Sequence, residues 1–160
     1  MIKKERKDIS DAERRERGRS ILRLLEGDGG KDGMVSLMEE VFPDFLKITE
    51  ERLFGDIWSR SGLSVRDRCM ITLALIVEKR YGDEKYIDFH DKLLKTHMRY
   101  ALNSGMSREE ILEVILHVAN YTCWGAGYQA IRAAKDVFSS KGLQHGEQRS
   151  ASKVKDQGDI

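Results

Sequence analysis

The 160-residue sequence has one proline, two cysteines and almost no excess of charge of either sign. The 28 Lys and Arg residues are nearly balanced by 27 Asp and Glu residues, so the sequence has no overall basic charge that would indicate a nucleic-acid partner. No apolar run approaches the roughly 20 residues of a membrane span, and "MIKKERKDIS" lacks the apolar stretch of a secretory signal. We therefore expect a cytoplasmic protein that binds neither nucleic acid nor membrane.

The two cysteines, Cys69 and Cys123, lie far apart and form no CxxC pair. They provide neither a disulfide framework nor a Cys/His zinc spacing. Both are expected to be reduced thiols.

Alternating β-branched stretches are also almost absent, whereas apolar residues recur at helical spacing throughout, which predicts an all-α fold. A first helix is expected from about Ser10 to the stop signal Gly27. A short helix ends near Phe42, and Pro43 begins another that Gly55 loosens or ends.

The second half of the chain carries clearer helix boundaries. Ser64 is the N-cap of a helix with Asp67 at the acid position of a capping box, and Ser107 forms an S-x-x-E box at the start of a later helix. Between them, "KYIDFHDKLLKTHMRYALNSG" predicts a helix with Gly105 as its C-terminal signal. "GYQAIRAAKDVFSSKG" predicts the last helix.

The helix from Cys69 to Val77 is apolar on nearly every side. Such a helix in a small domain needs cover all round, so we expect contact between subunits of a homo-oligomer. We predict a charged segment over residues 1–9, a single helical domain over 10–142 and a disordered polar tail over 143–160.

One helix has two distinct faces. Ile111 and Ile115 belong to its apolar face, whereas Glu113, His117 and Tyr121 follow one another at spacings of four and share the opposite side. A glutamate beside a histidine can orient the imidazole and raise its pKa, which suits a proton donor near neutral pH. The alternative is an ordinary solvated helix flank.

Other polar residues have two interpretations each. His90 and His97, seven residues apart, could face a cleft or could be packed structural residues. They lack the i,i+4 spacing of helical zinc ligands, so we predict no metal site. Arg66 and Arg68 in the first turn of a helix could clamp a carboxylate, or could pair with Asp67 or a neighbouring subunit.

The segments "FGDIWSRSGLSVRDRCMITLALI" and "THMRYALNSGMSREEILEVILHVANYTCWGAGYQAIRAAKDVF", within residues 54–138, resemble the carboxymuconolactone decarboxylase family. The resemblance implies an all-helical domain that assembles as a homo-oligomer, commonly a hexamer built from trimers or dimers. It also implies a relationship to the alkylhydroperoxidase D proteins, whose activity depends on a CxxC pair followed by histidine. His97 matches that histidine, but His90 and Leu93 stand where the two cysteines would be.

The reaction implied by the resemblance releases carbon dioxide from a carboxylated lactone and needs no metal or organic cofactor. The carbanion left behind is delocalised as an enolate, which requires donors to the oxygen and an acid that protonates carbon. The candidate catalytic residues are His117, His97, Glu113 and Tyr121, and the candidate substrate-binding residues are Arg66, Arg68 and Trp124. The expected partner is a small anionic molecule from the breakdown of aromatic compounds.

The turn "TCWGAG" departs from the Gly-x-Pro stretch that is usual after the family's tyrosine. Cys123 in this turn is expected to be a small buried residue or, alternatively, a lone redox thiol. Two other functions therefore stay open: a thiol antioxidant that uses Cys123, and a noncatalytic oligomer that binds a small ligand or protein.

Overall fold

The computed structural model describes residues 9–27, 34–79 and 87–140. In chain order its helices are α1 (Asp11–Glu26), α2 (Met34–Val41), α3 (Pro43–Ile48), a π-helical segment named π1 (Thr49–Trp58), α4 (Val65–Glu78), α5 (Ile87–Asn103), α6 (Arg108–Tyr121) and α7 (Trp124–Ser139). These three ranges contain no strand, and the predicted all-α fold is confirmed.

Three helices begin with a reciprocal capping box. In each, a serine hydroxyl accepts a hydrogen bond from a backbone N–H three residues later, and the acidic side chain there accepts one from the serine N–H. The pairs are Ser10 with Glu13 at α1, Ser64 with Asp67 at α4 and Ser107 with Glu110 at α6. The predicted starts of these helices are confirmed.

The chain divides into two compact units, Met1–Arg68 and Cys69–Ile160. In the first unit α1 packs against π1 around the buried side chains of Leu22, Leu25 and Phe54. Glu50 is 5% exposed, and its carboxylate accepts hydrogen bonds from Arg15 Nε at 2.6 Å and Arg19 Nε at 3.0 Å. This ion network ties the two helices together.

Of the two predicted effects of Gly55, ending the helix is wrong, because the helical segment runs on to Trp58; its π geometry over Thr49–Trp58, with i→i+5 hydrogen bonds, agrees with a loosened helix. Gly55 is buried, and a Cβ atom there would collide with the carbonyl oxygen of Arg14. Gly18 faces the carbonyl group of Glu50 in the same way. The two glycines therefore permit the close approach of α1 and π1 rather than ending a helix.

The second unit packs α5, α6 and α7 against one another. Its core contains the fully buried Leu73 of α4, Leu94 and Met98 of α5, and Ile111 and Ile115 of α6. Small residues line the buried side of α7, where Ala126, Ala130, Ala133 and Ala134 are at most 5% exposed. Consequently α7 can approach its neighbours closely.

The last helix begins at Trp124, three residues before the predicted start at Gly127. Cys123 is the N-cap of α7, and its Sγ accepts a hydrogen bond from the backbone N–H of Ala126 at 3.3 Å. Cys123 is half-buried. The expectation of a small buried residue therefore did not include its role as a helix cap.

Gly27 and Gly105 have φ values of 60° and 95° directly after α1 and near the end of α5, which agrees with their predicted role as stop signals. None of the helices in the described ranges is both long and apolar enough to cross a membrane. The predicted tail at 143–160 and most of the segment 1–9 lie outside the described residues. The single domain over 10–142 stays a prediction.

Candidate functional site

The predicted polar face of α6 is present and open to solvent. Glu113, His117 and Tyr121, here named the α6 stripe, are exposed on the side opposite Ile111 and Ile115. The rings of His117 and Tyr121 have their centroids 4.8 Å apart. No hydrogen bond joins Glu113 to His117 in the part of the chain that the structure describes. The stripe therefore brings an imidazole and a phenol together, with a carboxylate one turn away.

Trp124 follows the stripe as the first residue of α7. Its side chain is 68% exposed, and Tyr121 three residues earlier is 80% exposed. The Cys123 cap fixes the direction of the first turn of α7 and therefore the position of the Trp124 backbone. Both aromatic side chains are accessible to a ligand.

His97 lies on α5 in a partly buried position. Its ring meets that of Tyr100 edge to face at 5.4 Å, and burial lowers the pKa of His97 to about 4. The imidazole is therefore neutral at pH 7, where it can donate one N–H hydrogen bond but does not carry the proton of an imidazolium acid. No described hydrogen bond or ring contact links His97 to the α6 stripe.

His90 is 8% exposed on the same helix, and its Nε2 lies 2.9 Å from the carbonyl oxygen of Ile76. This contact links α5 to α4. His90 is therefore packed, and it also lines the cavity between α5 and α7 that is described below, so both predicted features, packing and a place at a cleft, are present.

Arg66 and Arg68 belong to the first compact unit, whereas the other predicted site residues belong to the second. Arg68 donates from Nη2 to the carbonyl oxygen of Arg60 at 3.2 Å. Its Nε is buried and has no hydrogen-bond partner among the described residues. Hydrogen bonds from Ser64, with a smaller contribution from the charge of Arg66, lower the pKa of Asp67.

A cavity of about 880 Å³ lies between α5 and α7, and none of the seven predicted site residues lines it. Its walls carry Asp88, Asp91 and Lys95 from α5 and Tyr128, Arg132 and Lys135 from α7. The volume falls within the range of about 300–1,000 Å³ that is usual for small-molecule sites. We refer to it as the α5–α7 cavity.

An ion triad crosses this cavity wall. Lys95 Nζ lies 2.7 Å from a carboxylate oxygen of Asp91 and 2.6 Å from one of Asp136 on α7. The hydrogen bonds that Lys95 donates to Asp136 and Asp91 raise the pKa of Lys95, and the same ammonium group lowers the pKa of Asp136. The pair of Asp91 and Lys95 could be predicted from the sequence, because the two residues have i,i+4 spacing on one helix. The contact of Lys95 with Asp136 on α7 could not be predicted in this way.

The described ranges contain no group of three or more His, Cys, Asp or Glu residues that could hold a metal ion. The candidate groups are thus an exposed stripe, a neutral histidine and a charged cavity.

Comparisons with known proteins place this geometry in context. The model of the carboxymuconolactone decarboxylase family matches residues 43–136. A 4-carboxymuconolactone decarboxylase of Acinetobacter baylyi is 25% identical over 84% of this chain and 94% of its own length. A nitrosuccinic acid decarboxylase of Metarhizium robertsii is 33% identical over 47% of this chain and 46% of its own. With more than half of its residues matched, the chain belongs to the carboxymuconolactone decarboxylase family.

Proposed function

We propose that this protein is a cofactor-free decarboxylase that acts on a carboxylated lactone or a related small anionic molecule in the breakdown of aromatic compounds. The observation that carries the proposal is the similarity to a 4-carboxymuconolactone decarboxylase over 94% of that protein's length. A second decarboxylase with a different acidic substrate in its name supports the reaction type more than the substrate.

The chemistry has two requirements. When the bond to the carboxylate carbon breaks, its electron pair moves into the lactone carbonyl, and carbon dioxide leaves. The resulting enolate oxygen needs a hydrogen-bond donor, and the carbanion carbon then takes a proton from an acid. No oxidant or reductant takes part, because the electron pair of the broken C–C bond stays on the substrate and forms the new C–H bond with the added proton.

The α6 stripe offers both groups. In this proposal the Tyr121 phenol donates to the enolate oxygen, and the neighbouring His117 delivers the proton to carbon. Their ring centroids are 4.8 Å apart, which is close enough for both to act on one small molecule. Glu113, one turn earlier, is the group that orients His117 when the site is occupied.

In this proposal His97 donates a hydrogen bond and is not the acid that protonates carbon. Its pKa of about 4 leaves it neutral at pH 7, so it suits a hydrogen-bond donor better than a proton source. Carboxylate contacts by Arg66 and Arg68 and an aromatic contact by Trp124 complete the proposal. The exposed indole supports the role of Trp124.

We further propose that the protein works as a homo-oligomer, a trimer or hexamer, in the cytoplasm. Ile71 and Leu75 on α4 and Leu112 and Leu116 on α6 are each more than 40% exposed at i,i+4 spacing. Apolar side chains in such rows are typical of helix faces that a second copy covers. Light scattering coupled to size-exclusion chromatography measures the state, and a monomer at micromolar concentration contradicts this assembly.

The reaction is tested by mixing the purified protein with carboxymuconolactone and following ring absorbance and released carbon dioxide. His117→Ala is expected to lower kcat by a factor of about 10²–10⁴, the usual contribution of a proton-transfer group. Asn120→Ala, an exposed position on the same helix, is the matched control and should retain turnover. Absence of turnover at high enzyme concentration overturns the assignment to this substrate.

The thiol antioxidant is a second candidate because Cys123 Sγ lies at the N-terminus of α7, where it accepts a hydrogen bond from the backbone N–H of Ala126. Peroxide consumption by the parent protein and its loss in Cys123→Ser are the results this function requires. A parent protein that consumes no peroxide rules it out.

A further inference from the structure

The α6 stripe faces away from the α7 helix of its own chain. Ala119 marks the side of α6 that contacts α7, because a Cβ atom at Gly127 would lie 2.8 Å from the Cβ of Ala119. His117 is two residues earlier, which places it roughly 160° around the helix axis from Ala119. Tyr121 at the end of the stripe is largely exposed. Among the residues that the structure describes, the stripe is therefore open to water, although an enolate is stabilised best where water is excluded.

The outer face of α7 carries a row of large side chains that is also uncovered. Trp124, Tyr128 and Ile131 follow one another at spacings of four and three, so they share one face of the helix, and each is more than half exposed. Lys135, four residues after Ile131, is exposed and continues this face. We name these four residues the α7 row; Tyr128 and Lys135 also border the α5–α7 cavity. Tryptophan and tyrosine are enriched where protein interfaces derive most of their binding energy.

The α6 stripe and the α7 row match in length and in the order of their chemical groups. Counted from the exposed Glu109, one turn before Glu113, the α6 surface extends over roughly 18 Å to Tyr121, and the α7 row extends over roughly 17 Å. When the two helices are placed antiparallel, Tyr121 meets Trp124. At the opposite end Glu109 meets Lys135. An aromatic pair at one end and opposite charges at the other favour a single register.

The charges at that end are complementary. Glu109 and Glu113 on α6 form no salt bridge with a residue in the described ranges. Arg132 and Lys135 on α7 are exposed and likewise form none there; they add only a weaker attraction to Asp136. The carboxylate of Asp136 is itself held in the ion triad of the cavity wall. An acidic segment of α6 can therefore face a basic segment of α7 from another molecule.

We propose that the α7 row of a second copy of this chain packs antiparallel on the α6 stripe, so that Trp124 of one copy closes the active site that carries His117 and Tyr121 of another. The inference rests on the proposed function in taking the stripe as that active site. Each copy has one stripe and one row, so every stripe in a closed assembly can be covered. Trp124 then binds the substrate across the interface and shields the developing charge from water.

The contact is measured without turnover through the fluorescence of Trp124. The chain has two tryptophans, and Trp58→Phe leaves Trp124 as the single emitter. Acrylamide should quench its emission at least about threefold less than that of free N-acetyltryptophanamide, because a side chain that is 68% exposed in one chain becomes buried at the centre of an interface. Light scattering on the same sample gives the oligomeric state.

Ile131→Asp, made in this Trp58→Phe background, places a carboxylate in the middle of the α7 row. It should dissociate the assembly and raise the quenching of Trp124 to that of an exposed side chain. Gln129→Asp is the matched control, since it adds the same charge at an exposed position of α7 outside the row, and it should leave both measurements unchanged. Circular dichroism confirms that both variants are folded. A monomeric parent protein overturns the inference, as does equal quenching of Trp124 in the parent and in Ile131→Asp.

Turnover adds a test of the division of the site between two copies. A subunit with His117→Ala lacks the proton donor, and a subunit with Trp124→Leu keeps an apolar contact but lacks the indole. When the two are co-expressed, random pairing should rebuild about one quarter of the sites, because one copy then supplies His117 and its neighbour supplies Trp124. If the mixed assembly is no more active than the separate variants, both residues act within one chain and the inference is wrong.

The two proposals fail in different ways. If carboxymuconolactone is not turned over, but Trp124 is protected from acrylamide and Ile131→Asp exposes it, the reaction is wrong and the interface stands. If turnover occurs while Trp124 of the parent is quenched like an exposed side chain, the reaction stands and a second copy does not close the site.

Discussion

Replacing Gly127 by alanine should destabilise the second unit through the contact between α6 and α7. A Cβ atom at Gly127 would lie 2.8 Å from the Cβ of Ala119, which is itself 4% exposed. Since carbon atoms pack at about 3.5–4.0 Å, the two helices must separate by roughly 0.8 Å. Such overpacking costs about 1–3 kcal/mol, against a gain of about 1 kcal/mol for removing a glycine from a helix.

The net loss for Gly127→Ala is therefore about 1 kcal/mol. Ala119→Gly alone should cost about 2 kcal/mol, from helix propensity and the lost burial of one methyl group. In the double variant the new methyl occupies the space of the old one, so the collision disappears. We expect the two substitutions together to be less damaging than the sum of their separate effects by about 2 kcal/mol.

Urea denaturation followed by far-ultraviolet circular dichroism gives the four free energies of this cycle. Gly62→Ala is the matched control, because a Cβ atom there meets nothing within 4 Å. It should change the free energy of unfolding by no more than about 1 kcal/mol. Additivity of Gly127→Ala and Ala119→Gly within about 0.5 kcal/mol would refute the argument from close packing.

Three further predictions concern the core and the buried charges. Ile111→Ala should lower the free energy of unfolding by about 2–5 kcal/mol, because Ile111 is fully buried. Leu112→Ala, at a half-exposed position of the same helix, should lower it much less. Denaturant midpoints measure both effects. Because the pKa of His97 falls from 6.5 to about 4 on folding, the unfolded chain binds the extra proton, and stability should decrease by about 3 kcal/mol as pH falls from 6.5 to 4. His97→Gln should remove this pH dependence of the free energy of unfolding, whereas His117→Gln, at an exposed position, should leave it in place. An unchanged pH dependence in His97→Gln contradicts its attribution to His97. Glu50→Gln should lower the urea midpoint, most at low salt, since two arginines lose their buried partner; a midpoint equal to that of the parent contradicts this.

Helix boundaries were largely predictable from local signals. A serine followed three residues later by an acid marked the starts of α4 and α6, because a capping box needs no partner from elsewhere in the chain. The packing role of Gly55 could not be predicted, because it depends on the close approach of α1, which no local pattern reveals. The start of α7 was missed since a cysteine is an uncommon N-cap.

The candidate site was predictable to a similar degree. The spacing of four places His117 beside Tyr121 on any helix, so that pair followed from the sequence alone. The neutral state of His97 did not, because it depends on how deeply the packed helices bury the ring. The α5–α7 cavity was missed for the same reason: Lys95 and Asp136 are brought together only by the packing of helices that are not consecutive in the chain.

The ion triad has a consequence for chemical modification. An amine reacts with acylating reagents only after it loses its proton, and the two aspartates raise the pKa of Lys95. Lys135, exposed on the facing helix, has no such pair of close carboxylates among the residues that the structure describes. Acetylation under mild conditions should therefore label Lys135 well before Lys95, and one wall of the cavity can be modified while the link between α5 and α7 stays intact.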